Sequence, residues 1–277
     1  YIRVGTLSRE SSDEELERLF QQRGTFRLEV RGVSGSSAED FDYRRLHDYF
    51  QRIRSQDTPK ADDADAWQNL LLNTEFLIEE DDRKPATVAG LLLFCANPNR
   101  FLPQAGIDAV AYPGKEKDYA ATVLMGKDGI VENGLVEQTV EFVRRNTQVA
   151  ATLADGSRHE QTWTYPEEAV RETIVNALVH RDYLLSGTTV ELSIYEDRLE
   201  VVSPGRLPNG ITPQRMVTGC RSARNQLLKD VMRDYGYLEH MGMGVPPKIV
   251  KGMQKHNGST PELVEDEELF TVRLWNR

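Results

Sequence analysis

Residues 165–183, YPEEAVRETIVNALVHRDY, constrain this chain more tightly than any other stretch. Pro166 suits the first turn of a helix, and Glu172, Asn176 and His180 then recur at four-residue intervals, which puts all three on one helix face. Val170, Ile174, Ala177 and Leu178 form an apolar stripe on the same helix, so it packs on a core while its polar row faces whatever lies above. An Asn side-chain oxygen is a hard ligand suited to Mg²⁺, and a carboxylate one turn earlier can polarise a water. Taken alone, the same row also fits a solvated helix surface.

The rest of the chain reads as mixed helix and strand. A strand is expected at 1–4, a helix opening at Ser11 or Ser12 and running through Leu16, Leu19 and Phe20, and a strand at 26–30, followed by the linker GVSGSSAED. Apolar residues at helical spacing predict helices over 41–53 and 67–78, either a small helical or winged-helix-like module or two packing helices that lead into a sheet. EEDDRK (79–84) reads as a solvated turn. The continuous apolar run GLLLF (90–94) has the character of a strand covered on both faces, and 106–112 supplies another. A helix over 135–145 precedes the opening helix. After it come a strand pair at 188–194 and 198–202 with its turn at 195–197, helices over 213–218, 225–234 and 246–255, and a last strand at 269–275.

Composition limits the function classes. With 277 residues, 39% hydrophobic and 28% charged, the chain is long enough for one large domain or two modest ones. No apolar run reaches the roughly 18 to 20 residues that cross a bilayer, and no charged-then-apolar leader opens the chain, so no membrane partner and a cytoplasmic location are expected. The net charge of −10 argues against the whole chain being a strong nucleic-acid binder. A local basic face is left open, with Arg44, Arg45, Arg52 and Arg54 to supply it. Cys95 and Cys220 provide neither a disulfide framework nor zinc-site spacing. The chain starts at Tyr1 inside a strand pattern, so an upstream region is expected.

Two further loops carry candidate chemistry. Ser203-Pro204-Gly205-Arg206-Leu207-Pro208-Asn209-Gly210 follows an apolar strand; its glycines let backbone approach a flat ligand, and Ser203 or Asn209 can hydrogen-bond a base edge. Met241-Gly242-Met243-Gly244-Val245-Pro246-Pro247 opens directly onto a helix, whose free amides attract phosphate. Arg221, Arg224 and Asn225 stand just before a helix, placed to touch phosphates or a partner chain. Each of these also reads as an ordinary turn or helix start.

The order of these parts resembles the Bergerat ATP-binding fold of the GHKL superfamily, which includes DNA gyrase B, heat-shock chaperones, sensor histidine kinases and MutL. More closely, RETIVNALVHRDY, RLEVVSPGRLPNGIT, RSARNQLL, GYLEHMGMGV, TVAGLLLFCANPNRFLPQAGI and the opening YIRVG resemble bacterial and archaeal proteins described as transcriptional regulators or RecG-helicase-related ATP-binding proteins. The resemblance implies an α+β fold, a two-layer α/β sandwich of divergent GHKL (Bergerat) type preceded by a small helical module. Its divisions would be 1–33, a remnant of a Schlafen/Alba-like domain; 38–84, the helical module; and 85–277, the nucleotide-binding domain. It further implies Mg²⁺ and ATP as cofactors, with Glu172 activating water, Asn176 holding Mg²⁺ and the nucleotide, and Ser203, Gly205 and Gly210 lining the base. Gly242 and Gly244 would cradle phosphates and Arg224 would assist. The implied partners are nucleotide, DNA through the preceding domain, and a second copy in a homodimer. The superfamily places Asp where Ser203 stands, and a hydroxyl cannot make the same charge-assisted contact with an adenine amine. A Bergerat-like scaffold that binds no nucleotide and serves dimerisation or protein interaction is the alternative reading.

Overall fold

The structure, a computed structural model, describes residues 2–4, 7–11, 16, 27–119, 122–147, 163–207, 211–218, 223–238, 244–266 and 268–276. In chain order its strands are β1 (Ile2–Val4), β2 (Leu7–Arg9), β3 (Ile107–Ala111), β4 (Thr122–Gly126), β5 (Val190–Ile194), β6 (Arg198–Pro204), β7 (Glu262–Asp266) and β8 (Leu269–Trp275). The helices are α1 (Tyr43–His47, continued by a wide turn over Asp48–Ile53), α2 (Ala64–Asn73), α3 (Val88–Phe94), α4 (Leu135–Asn146), α5 (Glu167–His180), α6 (Pro213–Val217) and α7 (Gln226–Asp234). Helix α8 begins as a wide turn at Val245–Val250 and continues over Lys251–Asn257.

Strands β1 and β2 pair with each other, and the other six form one sheet in the order β4-β3-β5-β6-β8-β7. All neighbours in it are antiparallel except β3 and β5, which the excursion through β4, α4 and α5 brings into parallel register. A row of paired residues, Leu124, Ala109, Leu192, Val201, Val272 and Leu263, crosses all six strands on the face that packs under the helices. The opposite face carries Val123, Val110, Ser193, Glu200, Arg273 and Glu262 in the next register. There Glu200 accepts from Arg198 Nε at 2.7 Å and Arg273 Nε at 2.9 Å. The result is a two-layer α/β sandwich, with period-2 alternation sending apolar side chains inward.

The N-terminal helices join the same core. Tyr49, Tyr235 and Tyr237 stack in series, and their hydroxyls donate to Asp234, Asp48 and Glu137 respectively. Burial, before any charge effect, pushes all three phenols well above the usual tyrosine range. Among the arginines of a possible basic face, Arg45 pairs with Asp128 at 2.8 Å, Arg52 with Asp48 at 2.5 Å and Arg54 with Asp234 at 3.6 Å. Arg44 is held by Glu132. Each of the four is thus paired with an acid of the chain, Arg45 in the interior and Arg44, Arg52 and Arg54 at the exposed surface.

Several expected elements differ. The run 90–94 is helix, part of α3, rather than strand: the Thr87 hydroxyl accepts from the Gly90 amide at 3.1 Å and starts the helix. Every residue of α3 is buried, so no amphipathic period survives to distinguish a helix from a covered strand. The strand expected at 26–30 is a 3-10 turn over Leu28–Val30. Helix α2 stops at Asn73, because Glu75 adopts a positive φ of 60° and turns Phe76 and Leu77 into the core. The linker at 32–40 contains a 3-10 turn, Ala38–Asp40, closed by a reciprocal Ser37–Asp40 capping box. Strands β4 and β7 lie at the two sheet edges and escaped the sequence pattern, their side chains being largely exposed. The helix expected from Ser11 or Ser12 falls almost wholly outside the described residues. No helix among those described is long and apolar enough to cross a membrane.

Two outcomes test this packing. A Cβ at Gly90 would lie 2.5 Å from the Phe76 carbonyl oxygen and 3.0 Å from the Phe41 ring. The overlap outweighs the gain of about 1 kcal/mol that alanine brings to a helix, so Gly90→Ala lowers unfolding free energy by about 1–3 kcal/mol in urea titration. Gly187→Ala, with open space around it, causes no such loss. Asn225, fully buried, donates through Nδ2 to the carbonyls of Val179 at 2.8 Å and Arg181 at 2.9 Å. Asn225→Ala strands both and costs about 1–3 kcal/mol in the same assay, and Asn225→Asp, which sets an acceptor against them, costs more.

Candidate functional site

Helix α5 is the axis of the site. It packs on β6, on α4 and α7, and on the first turn of α8. Val170, Ile174, Ala177 and Leu178, the expected apolar stripe, are all buried, and so are Thr173, Val175 and Val179 on other sides. Glu172 is buried at 3% exposure, whereas Asn176 and His180 are half-buried. The polar row therefore runs from a buried acid toward a more open end.

Around the acid, the amide of Asn176 donates from Nδ2 to Glu172 Oε1 at 3.0 Å. This orientation turns the Asn176 oxygen away from the carboxylate. Lys248 Nζ stands 3.8 Å from Glu172 Oε2. Gly244 meets the same carboxylate with its backbone: a Cβ there would fall 1.6 Å from Glu172 Oε1. Only glycine lets the start of α8 lie directly on the acid. Pro246 and Pro247 follow in the first turn, where a missing amide hydrogen costs nothing. Glu172, Asn176, Gly244 and Lys248 thus come together from two elements distant in sequence.

At the C-terminal end of α5, the Ser203 hydroxyl donates to the Ala177 carbonyl at 2.8 Å, tying β6 to the helix. Gly205 has φ +116°, and the space above its Cα holds the Arg224 guanidinium and the Asp182 side chain. Arg224 donates to the carbonyls of His180 at 3.1 Å and Arg206 at 2.6 Å. It bridges the helix end to the loop after β6 instead of standing open to a ligand. Glu265 accepts from the Leu207 amide at 2.8 Å, and the Gly205 amide donates to the Glu268 carbonyl at 2.6 Å, so β7 and the β7–β8 turn hold the other side of that loop. Arg181, fully buried, donates to the carbonyls of Asp182 and Leu185, each at 2.6 Å, and to that of Thr188. Burial first, then the positive charges of Lys229 and Arg224, push the His180 imidazole down to about 4, so it is neutral at physiological pH.

Of the residues singled out in the sequence, Glu172, Asn176 and Gly244 form one cluster. Ser203, Gly205 and Arg224 form a second, one to two turns further along the same helix. Asn209, Gly210, Arg221 and Gly242 lie outside the described residues. Sequence reasoning missed Lys248 and Asp182. Lys248 carries one legible signal, a cation one turn into the helix that Gly-x-Gly opens; Asp182 follows the helix end in HRDY and had none.

Residues 187–274 match the family described as "Putative ATP-dependent DNA helicase recG C-terminal". That stretch takes in Ser203, Gly205, Arg224, Gly244 and Lys248, while Glu172 and Asn176 lie upstream of it. No curated protein matches the chain. Among solved structures, the chain is similar to the DIP2311 protein from Corynebacterium diphtheriae, with 21% identity and a TM-score of 0.64 over 99% of this chain and 52% of that one. The likeness is one of fold, and the chain spans about half the length of that structure. Residues 187–274 are thus similar to the ATPase-like RecG C-terminal family, and the chain as a whole folds as an α+β sandwich.

Proposed function

We propose that the sandwich binds Mg-ATP along helix α5, as a divergent GHKL-type domain of a DNA-associated regulator. The observation that carries this reading is the contact of Gly244 with Glu172 beside Asn176, a helix start laid on a buried acid–amide pair. The hydrogen bond from Asn176 Nδ2 leaves its oxygen as a hard donor, and this fits Mg²⁺ with phosphate and water oxygens completing the shell. Among the described residues no group of three His, Cys, Asp or Glu forms a metal cage, and a Mg²⁺ held mainly by ligand oxygens needs none. Bound Mg²⁺ would neutralise charge on the phosphates. Glu172 would orient a water and accept its proton, and the start of α8 would present backbone amides and Lys248 to the phosphates. In this ligand-free arrangement Lys248 faces Glu172 instead.

The scaffold alternative draws on a different observation. The Ser203 hydroxyl is donated to Ala177, and the space over Gly205 is filled. On that reading the pocket is a closed structural joint serving protein interaction. DNA contact and homodimerisation belong to the proposal in either form, with DNA contacted through a preceding domain, since Arg44, Arg45, Arg52 and Arg54 are each paired with an acid of the chain.

Calorimetric titration with Mg-ATP decides between them. The wild-type chain binds, and Asn176→Ala weakens binding by about 10- to 100-fold, the scale of a lost metal-site contact. Chelating Mg²⁺ reproduces that loss in the wild type. Glu172→Gln retains binding and abolishes phosphate release. Absence of heat in the wild type, or equal affinity for wild type and Asn176→Ala, overturns the nucleotide reading.

A further inference from the structure

We propose that β4 is the seam of a symmetric dimer, pairing antiparallel with β4 of a second copy so that two six-stranded sheets become one. The inference rests on the homodimer part of the reading above, names its surface and needs no nucleotide. An edge strand offers unpaired backbone amides and carbonyls to any other strand, and proteins ordinarily guard such edges with charges, proline or a bulge. The other edge, β7, is guarded: Glu262, Glu265 and Asp266 stand exposed among its five residues. Strand β4, Thr-Val-Leu-Met-Gly, holds no charge and no proline, and it pairs with β3 residue for residue without a bulge. Among the described residues no strand pairs with its outer side.

Self-pairing fits β4 and fails for β7. The register that uses all of β4 is centred on Leu124, and it sets Thr122 opposite Gly126 and Val123 opposite Met125 of the second copy. Residues that aim their backbone groups outward alternate along a strand, and this register matches like with like, so each free amide meets a free carbonyl. Val123 and Met125 stand on the sheet face away from the helices at 55% and 54% exposure. In the dimer they cover each other in two symmetry-related pairs, and Val110 of β3 already flanks Val123 on its other side. The same operation on β7, centred on Val264, sets Glu262 opposite Asp266, a repulsive pair repeated by symmetry. The two-fold contact closes on itself and leaves only the guarded β7 edges free. One short strand makes a small seam beside the roughly 800 Å² per partner of a standard interface, so the dimer dissociates on dilution.

The test is sedimentation velocity of the full chain without nucleotide, over a dilution series through the micromolar range. Wild type passes reversibly from dimer to monomer across the series. Val123→Lys and Met125→Glu, each at an exposed position, keep the wild-type thermal midpoint. Each weakens self-association about tenfold, because it sets a charge against an apolar neighbour in both symmetry-related pairs. An equimolar mixture of the two variants recovers the wild-type dimer to within about threefold, since one of its pairs becomes Lys opposite Glu and the other stays Val opposite Met. A wild type that stays monomeric throughout overturns the homodimer and this seam together. A dimer that neither variant weakens keeps homodimerisation and overturns its assignment to β4, and a mixture as weak as its components overturns the register. Mg-ATP binding is read separately, by the calorimetry above, so its failure is distinguishable from failure of the seam.

Discussion

A helix buried on nearly every side must have its end groups satisfied from elsewhere in the fold, and this requirement organises the whole molecule around α5. The last carbonyls of an α-helix have no partner within it. Here Asn225 supplies donors to Val179 and Arg181, Arg224 supplies one to His180, and Ser203 donates to Ala177 within the last turn. Those three residues come from the start of α7, the residue preceding it, and β6. Seating α5 therefore requires the sheet, the loop after β6 and α7 to be in place together. The polar row inherits its geometry from that seating.

The same burial sets the electrostatics. An ionised acid taken out of water needs compensation, and Glu172 receives it from the Asn176 amide and the Lys248 ammonium. At the far end, two buried guanidinium groups, Arg181 and Arg224, are satisfied chiefly by backbone carbonyls. Burial pulls both below the usual arginine range, though both stay charged. The polar row of α5 thus runs from the acid at Glu172, past a neutral His180, to a cationic end around Arg224. Lys248, 3.8 Å from Glu172 Oε2, ties the α8 start to the acid.

Much of this was legible in the sequence wherever a side-chain period had a single cause. The 188–202 hairpin, β8, α4, α5 and α7 follow their patterns because each has one buried and one wetter side, or a clear turn residue at its ends. The run 90–94 misled because complete burial erases periodicity, leaving Thr87 as the only local mark of a helix. Strands β4 and β7 were illegible for the opposite reason: edge strands with exposed side chains carry no apolar alternation. Within the candidate site, Glu172 and Asn176 could be paired from their spacing alone. Gly244 was suggested by its turn, yet its contact with Glu172 joins residues 72 positions apart and is written only in the fold. Asp182 was hidden for the same reason, its neighbours Pro204 and Arg224 coming from across the chain.

The central claim is that α5 and the start of α8 form the two walls of one nucleotide site. Hydrogen–deuterium exchange of the full chain, read by mass spectrometry with and without Mg-ATP, tests it most directly. The account predicts slower exchange in the amides of 244–250 and 205–207 on adding Mg-ATP, with no change from Mg²⁺ alone. Unchanged exchange in both segments at saturating Mg-ATP would contradict it.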